Sequence, residues 1–176
     1  REVLEYYEKK INASEILKIL DLKPEQYFVV SAHREENVDS PENLRALVSL
    51  LNSLAKKFKL PIILSTHPRT KAHLSALGAT LDPLIRPLKP FGFFDYICLQ
   101  KNAYCVLSDS GTITEESSIL NFPALNIRHT QERPEGFEEG AVMMVGLKID
   151  RVMQSLEILK GQNRSDFRDL KMVEDY

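Results

Sequence analysis

The sequence predicts an α/β fold, a three-layer doubly wound parallel sheet with helices on both faces. Short apolar runs alternate along the chain with segments of helical periodicity, which is the pattern of folds built from βαβ units. The apolar runs carry no alternating polar residues, which is typical of parallel strands that are buried on both faces. With 176 residues and 43% hydrophobic positions, the chain predicts one domain over residues 1–176.

The first half of the chain holds three predicted strands and the helices between them. Residues 27–32 form a strand, and Ser40-Pro41 then supplies an N-cap and a proline at the first helical position. Residues 62–65 and 84–86 form the next strands, with a short helix between them that Gly78 ends. The long helix after Ser40 has one apolar stripe, formed by Leu44, Leu47, Val48, Leu51, Leu54, Ala55 and Phe58.

The second half continues the same alternation. The predicted strands are residues 104–108, 124–127 and 142–145, and the predicted helices follow Pro90 and cover residues 112–120 and 149–160. The amphipathic opening over residues 1–10 shows no obvious start, so we expect a piece of a longer protein. The tail over residues 161–176 is polar and weakly patterned.

Charge and composition narrow the classes of function. A net charge of −2 and a pI near 6.1 leave no broad basic surface for nucleic acid. No apolar run approaches the roughly 20 residues that cross a bilayer, and no leader is evident, so we expect a cytoplasmic protein without a membrane partner. Cys98 and Cys105 lack the paired spacing of a zinc site and are predicted to be buried free thiols.

The sharpest candidate site is the turn Ser108-Asp109-Ser110-Gly111-Thr112, which passes from a predicted strand directly into a helix. Ligands bind beyond the carboxyl ends of the strands in such sheets, and the positive end of a helix attracts anions. The alternative is a plain Ser/Thr helix cap. Gly111 favours phosphate, since a cap does not need the close backbone approach that glycine permits. Glu116 in the following turn stabilises the helix dipole or accepts the hydroxyls of a ribose.

Three more loops at the same edge carry candidate residues. The run His33-Arg34-Glu35-Glu36-Asn37 is typical of a solvated loop, but a histidine at the mouth of a strand can titrate near neutrality and contact a phosphate or a sugar. His67-Pro68-Arg69 adds cations after the second strand. The loop after the fifth strand is an exposed turn or a clamp in which Arg133 binds a pyrophosphate. The histidine spacing predicts no metal site.

Several of these segments together resemble a known family. SAHREEN, STHPR, DYICLQKNAYCVLSDSGT followed by EES, and ERPEG before VMMVG are similar, in order and spacing, to the C-terminal domain of the non-hydrolysing UDP-N-acetylglucosamine 2-epimerases. The resemblance runs from about Arg1 to about Leu159. It implies one Rossmann-like half of a two-domain, GT-B-like fold, with the N-terminal domain of the same polypeptide missing.

The resemblance also implies a function. The full-length protein would be a bacterial isomerase, a homodimer without a cofactor, that interconverts UDP-N-acetylhexosamines at C2 by eliminating and re-adding UDP. Its product would serve surface polysaccharides such as capsule or O-antigen. The acidic residues that move the C2 proton belong to the family's first domain, so this chain is expected to bind UDP without turnover.

The resemblance assigns roles to residues as well. Ser110 and Gly111 would bind the phosphates, Glu116 the ribose, and Tyr96 would lie beside the uracil. The remaining matched positions are His33 as the catalytic histidine, Arg133 and Glu135 in the UDP-binding cleft loop, and Arg34 and His67 at a regulatory UDP-sugar site.

Two departures from the family's common motifs favour one branch. HREEN stands where HRREN is common, and DSGT stands where DSGG is common. Both, with SSILNFPALNIR, are closer to the branch that forms UDP-N-acetyl-L-fucosamine from UDP-2-acetamido-2,6-dideoxy-L-talose. A GT-B glycosyltransferase domain and a non-catalytic nucleotide-sugar sensor are the alternative functions.

Overall fold

The computed structural model of the chain describes residues 6–128 and 142–160. The helices in these ranges are α1 (Glu8–Asn12), α2 (Ile16–Ile19), α3 (Glu35–Val38), α4 (Pro41–Phe58), α5 (Pro68–Ala76), α6 (Phe93–Lys101), α7 (Ile113–Leu120) and α8 (Ile149–Lys160). The strands are β1 (Phe28–Ser31), β2 (Ile62–Ser65), β3 (Ile85–Leu88), β4 (Cys105–Ser108), β5 (Ala124–Asn126) and β6 (Met143–Met144).

Within the described ranges the strands form one six-stranded sheet in the order β3-β2-β1-β4-β5-β6, and each neighbouring pair is parallel. From β1 the chain moves outward to β3, returns to the other side of β1, and moves outward again to β6. This reversal beside β1 is the point at which doubly wound sheets bind ligands. The predicted α/β class and parallel sheet are confirmed.

Two hydrophobic clusters, one on each face, enclose the sheet. Phe28 and Val30 point into the cluster formed with α4, α5 and α8, whereas Val29 points into the cluster formed with α1, α2 and α6. Successive strand residues therefore bury opposite faces, which is why the strand sequences show no polar alternation. The three-layer architecture follows from this burial.

Local signals explain where the long helix begins and ends. The Ser40 side chain accepts a hydrogen bond from the Asn43 backbone N–H at 3.3 Å, and Pro41 takes the first helical position. The helix ends at Lys59, whose φ of 54° is left-handed. The apolar stripe between these ends packs on the sheet, and Leu47, Leu51 and Leu54 are completely buried.

The structure corrects two details of the sequence prediction. The run after β1 is not a loop throughout, because α3 forms one helical turn over Glu35–Val38. The last strand is shorter than expected and covers only Met143–Met144. Cys98 and Cys105 are buried free thiols, as predicted. None of the helices in residues 6–128 and 142–160 has the length and hydropathy of a bilayer span.

Candidate functional site

The central strands end in a row of serines. Ser31 at the end of β1 is the register partner of Ser65 on β2 and of Ser108 on β4. All three are buried. Their hydroxyls therefore mark the boundary between the apolar core and the loops at the carboxyl edge of the sheet.

Hydroxyl groups hold the turn between β4 and α7. The Ser108 Oγ accepts a hydrogen bond from the Ser110 backbone N–H at 3.1 Å, and the Ser110 Oγ accepts one from the Thr112 backbone N–H at 3.3 Å. Thr112 is the N-cap residue of α7, but its side chain makes no cap hydrogen bond. Thr112 therefore does not cap α7 with its own hydroxyl, whereas the Ser110 hydroxyl accepts one N–H of the first turn, as in a Ser/Thr cap. The positive end of α7 faces the carboxyl edge of the sheet.

Arg34 lies over the glycine of this turn. Among the residues that the structure describes, the one heavy atom within 4 Å of a Cβ added at Gly111 is the Arg34 Nη2, at 4.0 Å. The Arg34 Nε donates a hydrogen bond to the Asp109 backbone oxygen at 3.0 Å. The open space above Gly111 is thus bordered by a guanidinium group, which can pair with phosphate oxygens in a bidentate manner.

The Asp109 carboxylate joins the loops after β1 and β4. It is completely buried and accepts hydrogen bonds from the backbone N–H groups of His33 at 3.1 Å and Arg34 at 3.0 Å. The Asn37 Nδ2 donates a third hydrogen bond to it at 3.0 Å. Charge-assisted hydrogen bonds of this kind are among the stronger ones. Asp109 was not among the residues that the sequence singled out for a role, since its partners lie more than 70 positions away.

His33 projects from the same loop. Its side chain is exposed, and its Nε2 lies 3.0 Å from the Ser31 Oγ. The backbone N–H of His33 is held by Asp109, so the imidazole is tethered at the mouth of β1. An exposed, positioned imidazole at a ligand edge can donate a proton or a hydrogen bond to an anion.

Tyr96 comes to this edge from α6. Burial raises the pKa of its phenol to about 12; a hydrogen bond with Ser31 lowers the pKa, and the charges of Glu116 and Asp109 raise it. The phenol is therefore protonated at neutral pH and remains a hydrogen-bond donor. Its neighbours place Tyr96 between the end of β1 and the first turns of α7.

Glu116 lies in the first turns of α7 with both carboxylate oxygens engaged. The Gln100 Nε2 donates to Oε2 at 2.8 Å, and the Thr112 Oγ1 donates to Oε1 at 2.9 Å. Gln100 is buried, and the sequence alone gave no signal for it because it falls within the apolar face of α6.

His67 lies one strand away. It is exposed and caps α5 by accepting a weak hydrogen bond from the Arg69 backbone N–H at 3.5 Å. The Arg69 guanidinium pairs with Asp39 and lies 3.5 Å from the Glu35 Oε1. The structure thus brings Arg34 to the turn after β4, while His67 stays at the end of β2.

A buried arginine at the end of β5 was missed by the sequence analysis. Arg128 is 3% exposed, and its Nε lies 3.7 Å from the Glu36 Oε1. An arginine just after a strand is typical of a solvated loop, so its position in the sequence does not predict that it is buried. It adds a cation to the same edge.

Arg133 and Glu135, predicted to form the cleft loop, lie outside the described residues. Within residues 6–128 and 142–160, no group of three or more His, Cys, Asp or Glu side chains is arranged to hold a metal ion. The polar groups described at this edge are therefore the turn between β4 and α7, the N-terminus of α7, several hydroxyl groups and a few charged side chains.

Comparison with known proteins identifies relatives of the whole chain. The family model described as UDP-N-acetylglucosamine 2-epimerase matches residues 1–175. The UDP-N-acetylglucosamine 2-epimerase of Methanocaldococcus jannaschii is 35% identical over 146 residues, which cover 80% of this chain and 40% of that protein.

Solved structures give the same result. A UDP-N-acetylglucosamine 2-epimerase from Rickettsia bellii is 45% identical with a TM-score of 0.83, and the match covers 96% of this chain and 45% of that one. A Methanocaldococcus jannaschii UDP-GlcNAc 2-epimerase in complex with UDP-GlcNAc and UDP is 30% identical with a TM-score of 0.79. The match covers 93% of this chain and 46% of that one. The chain spans less than half the length of these relatives.

Proposed function

Because the chain belongs to the UDP-N-acetylglucosamine 2-epimerase family, we propose that it is the UDP-binding half of an enzyme that epimerises a UDP-N-acetylhexosamine at C2. The observation that carries the proposal is the turn between β4 and α7. The N-terminus of α7, which the Thr112 side chain does not cap, lies there beside an arginine, a glutamate and a protonated tyrosine. These groups match the chemistry of a nucleoside diphosphate.

In this proposal the diphosphate binds at the turn. The hydroxyl of Ser110 and the backbone around Gly111 contact phosphate oxygens, and the positive end of α7 attracts the negative charge. Arg34 and His67 keep the proposed role of binding a second, regulatory UDP-sugar. The short distance from Arg34 to Gly111 would make the two anions neighbours on one edge.

The uridine binds beside the turn. Glu116 accepts hydrogen bonds from the ribose hydroxyls, and the ring of Tyr96 lies against the uracil. This arrangement is supported by the closeness of Tyr96 to Glu116, which the effect of the Glu116 charge on the tyrosine pKa reflects. Arg133 and Glu135 keep the proposed role of binding UDP.

The chemistry that we propose is an elimination followed by an addition. The C2 proton and the bond from C1 to UDP are lost, giving a 2-acetamidoglucal, and UDP then adds back after a proton returns to the opposite face of C2. The exposed His33 stabilises the departing diphosphate at the mouth of β1. The proton-transferring carboxylates would come from an N-terminal domain of the same polypeptide, and the full-length enzyme would be a homodimer.

The sugar defines a second, closely related function. The threonine of Asp109-Ser110-Gly111-Thr112 favours the branch that forms UDP-N-acetyl-L-fucosamine from its 6-deoxy-talo epimer. Either product would enter surface polysaccharide synthesis in the cytoplasm. A glycosyltransferase would differ in its product, because it releases UDP after transfer of the sugar to an acceptor.

Titration calorimetry with UDP tests the binding site. We expect the parent chain to bind UDP and the double variant Ser110→Ala with Glu116→Ala to lose binding, because the phosphate hydroxyl and the ribose acceptor are both removed. A matched control carries Ser75→Ala and Glu42→Ala at exposed positions on α5 and α4. UDP binding that persists in the first double variant would refute the placement of the nucleotide.

Hydrogen exchange at C2 tests the reaction. The full-length protein is incubated with UDP-N-acetylglucosamine, or with the 6-deoxy-talo UDP-sugar, in deuterated water. We expect deuterium at C2 of the substrate that the enzyme accepts, with UDP still attached. If neither sugar acquires the label, the elimination mechanism is wrong.

A further inference from the structure

Gln100 is a buried amide with an unusual position. It is 1% exposed and lies one helical turn after Tyr96 on α6. Its Nε2 donates a hydrogen bond to the Glu116 Oε2 at 2.8 Å, and the orientation of the amide is fixed because a carboxylate only accepts. The Oε1 is buried and has no hydrogen-bond partner among the described residues. Such an unpaired acceptor costs stability, so packing alone does not explain glutamine at this position.

Thr112 contacts the other oxygen of the same carboxylate. Its Oγ1 donates to the Glu116 Oε1 at 2.9 Å and lies 2.9 Å from the Ser110 Oγ. A threonine at an N-cap commonly bonds the backbone of its own helix, but this hydroxyl does not. The glycine that is common at this position of the resembled motif has no hydroxyl to offer.

From these contacts we propose that Gln100 and Thr112 are positioning residues that fix the Glu116 carboxylate for a vicinal diol of the ligand. The inference rests on the proposed function, in which that diol is the ribose of UDP. Each carboxylate oxygen has two lone-pair sites, so one anchor on each oxygen leaves one site on each for a ligand hydroxyl. The anchors come from α6 and from the start of α7.

The physical benefit is preorganisation. A free glutamate loses rotamer freedom when a ligand orders it, and this loss weakens binding. Here the two anchors order the carboxylate before the ligand arrives. They also select against nucleotides without the two ribose hydroxyls, because such ligands gain nothing from an ordered acceptor.

The test compares UDP with 2′,3′-dideoxyuridine diphosphate by titration calorimetry on the chain and on its Gln100→Met and Thr112→Val variants. Both changes nearly conserve volume while removing a donor. We expect the Kd for UDP to rise about threefold to tenfold in each variant, the cost of ordering one side chain on binding. The Kd for the dideoxy nucleotide should stay unchanged in Gln100→Met, and in Thr112→Val it should rise less than the Kd for UDP, because Thr112 also contacts the Ser110 hydroxyl. The matched controls are Gln154→Met on α8 and Thr80→Val, both at exposed positions.

The outcomes separate the inference from the proposed function. If the parent chain does not bind UDP, the proposed function fails and the inference fails with it. If the parent binds UDP and the variants bind it equally well, only the inference is overturned. An equal loss for UDP and the dideoxy nucleotide also overturns it, since a general structural defect does not distinguish the two ligands. Melting temperatures from circular dichroism show whether each variant is folded.

Discussion

Helices α4 and α7 both begin at the carboxyl edge of the sheet with a hydroxyl residue, yet the two hydroxyls do different things. At α4, Ser40 accepts a hydrogen bond from the backbone of Asn43 and caps its own helix. At α7, the hydroxyl of Thr112 contacts Ser110 and Glu116 instead and does not cap its own helix. The N-terminus of α4 is therefore capped by its own side chain. At the N-terminus of α7, the polar groups face the carboxyl edge of the sheet.

Because of this difference, mutations at the start of α4 and at the start of α7 should change different properties of the chain. Changes in and around α4 should alter the free energy of unfolding. Changes at the start of α7 should alter UDP affinity while leaving the fold intact.

Leu51→Ala in α4 should give the largest loss of stability. The side chain is completely buried against the sheet, and its truncation leaves a cavity. We expect the free energy of unfolding in urea to fall by about 2–5 kcal/mol. The exposed Lys56→Ala on the same helix is the control and should change little. A loss below that of the control would mean that α4 is not packed as described.

Asp109→Asn should affect both stability and binding, because Asp109 lies beneath the start of α7 and holds the loop after β1. The amide keeps one oxygen to accept the bonds that converge on Oδ2, but it loses the negative charge and turns an NH2 group toward the His33 backbone N–H. We expect the free energy of unfolding to fall by about 2 kcal/mol and UDP affinity to fall as well. The exposed Asp150→Asn is the control, and a variant as stable as that control would contradict the role of Asp109.

Ser40→Ala and Thr112→Ala compare the two helix starts directly. Ser40→Ala removes a true cap, so the free energy of unfolding should fall by about 1 kcal/mol. Thr112→Ala removes no cap and should change stability less, while weakening UDP binding through Glu116. Urea denaturation and calorimetry on the same samples provide the check. If both variants lose the same free energy of unfolding and bind UDP equally well, the two helix N-termini do not differ in function.

The alkaline stability of the chain depends on Tyr96. Its pKa is raised from 10.0 to about 12 in the folded chain, mainly by burial. Below pH 10.0 both states are protonated and the contribution to stability is complete; as the pH rises toward 12 the unfolded state ionises first, so stability is lost. Tyr96→Phe should therefore lose less stability over that window in urea denaturation. An alkaline loss identical to that of the parent would contradict the burial of the phenol.

Much of the fold could be predicted from the sequence because its signals are local. The apolar runs around Val29, Ile63 and Val106 predicted the central strands, and Ser40-Pro41 predicted the start of α4. The strand order could not be predicted, since it depends on contacts between distant segments. The helical turn of α3 was missed for a similar reason: Asp109 holds the backbone before it, and Asn37 within it, from across the sheet.

The candidate site divides along the same line. Ser110, Gly111 and Glu116 lie in one local motif, so the turn and the helix start could be identified from a short segment. Gln100 and Arg128 could not be identified in this way. Gln100 lies in an apolar stretch that is typical of a helix core, and Arg128 lies after a strand, where a solvated loop is expected. In the structure Gln100 bonds Glu116, and Arg128 lies beside Glu36, contacts that join segments distant in the sequence.

The serine row formed by Ser31, Ser65 and Ser108 shows that three neighbouring strands end at the same position in the sheet. Every loop above β1, β2 and β4 starts from the same height, just beyond the last apolar layer. A loop can then be lengthened, shortened or exchanged without moving the strand beneath it. The sheet is thus a fixed platform, and differences in ligand preference between such sheets can arise in the loops alone.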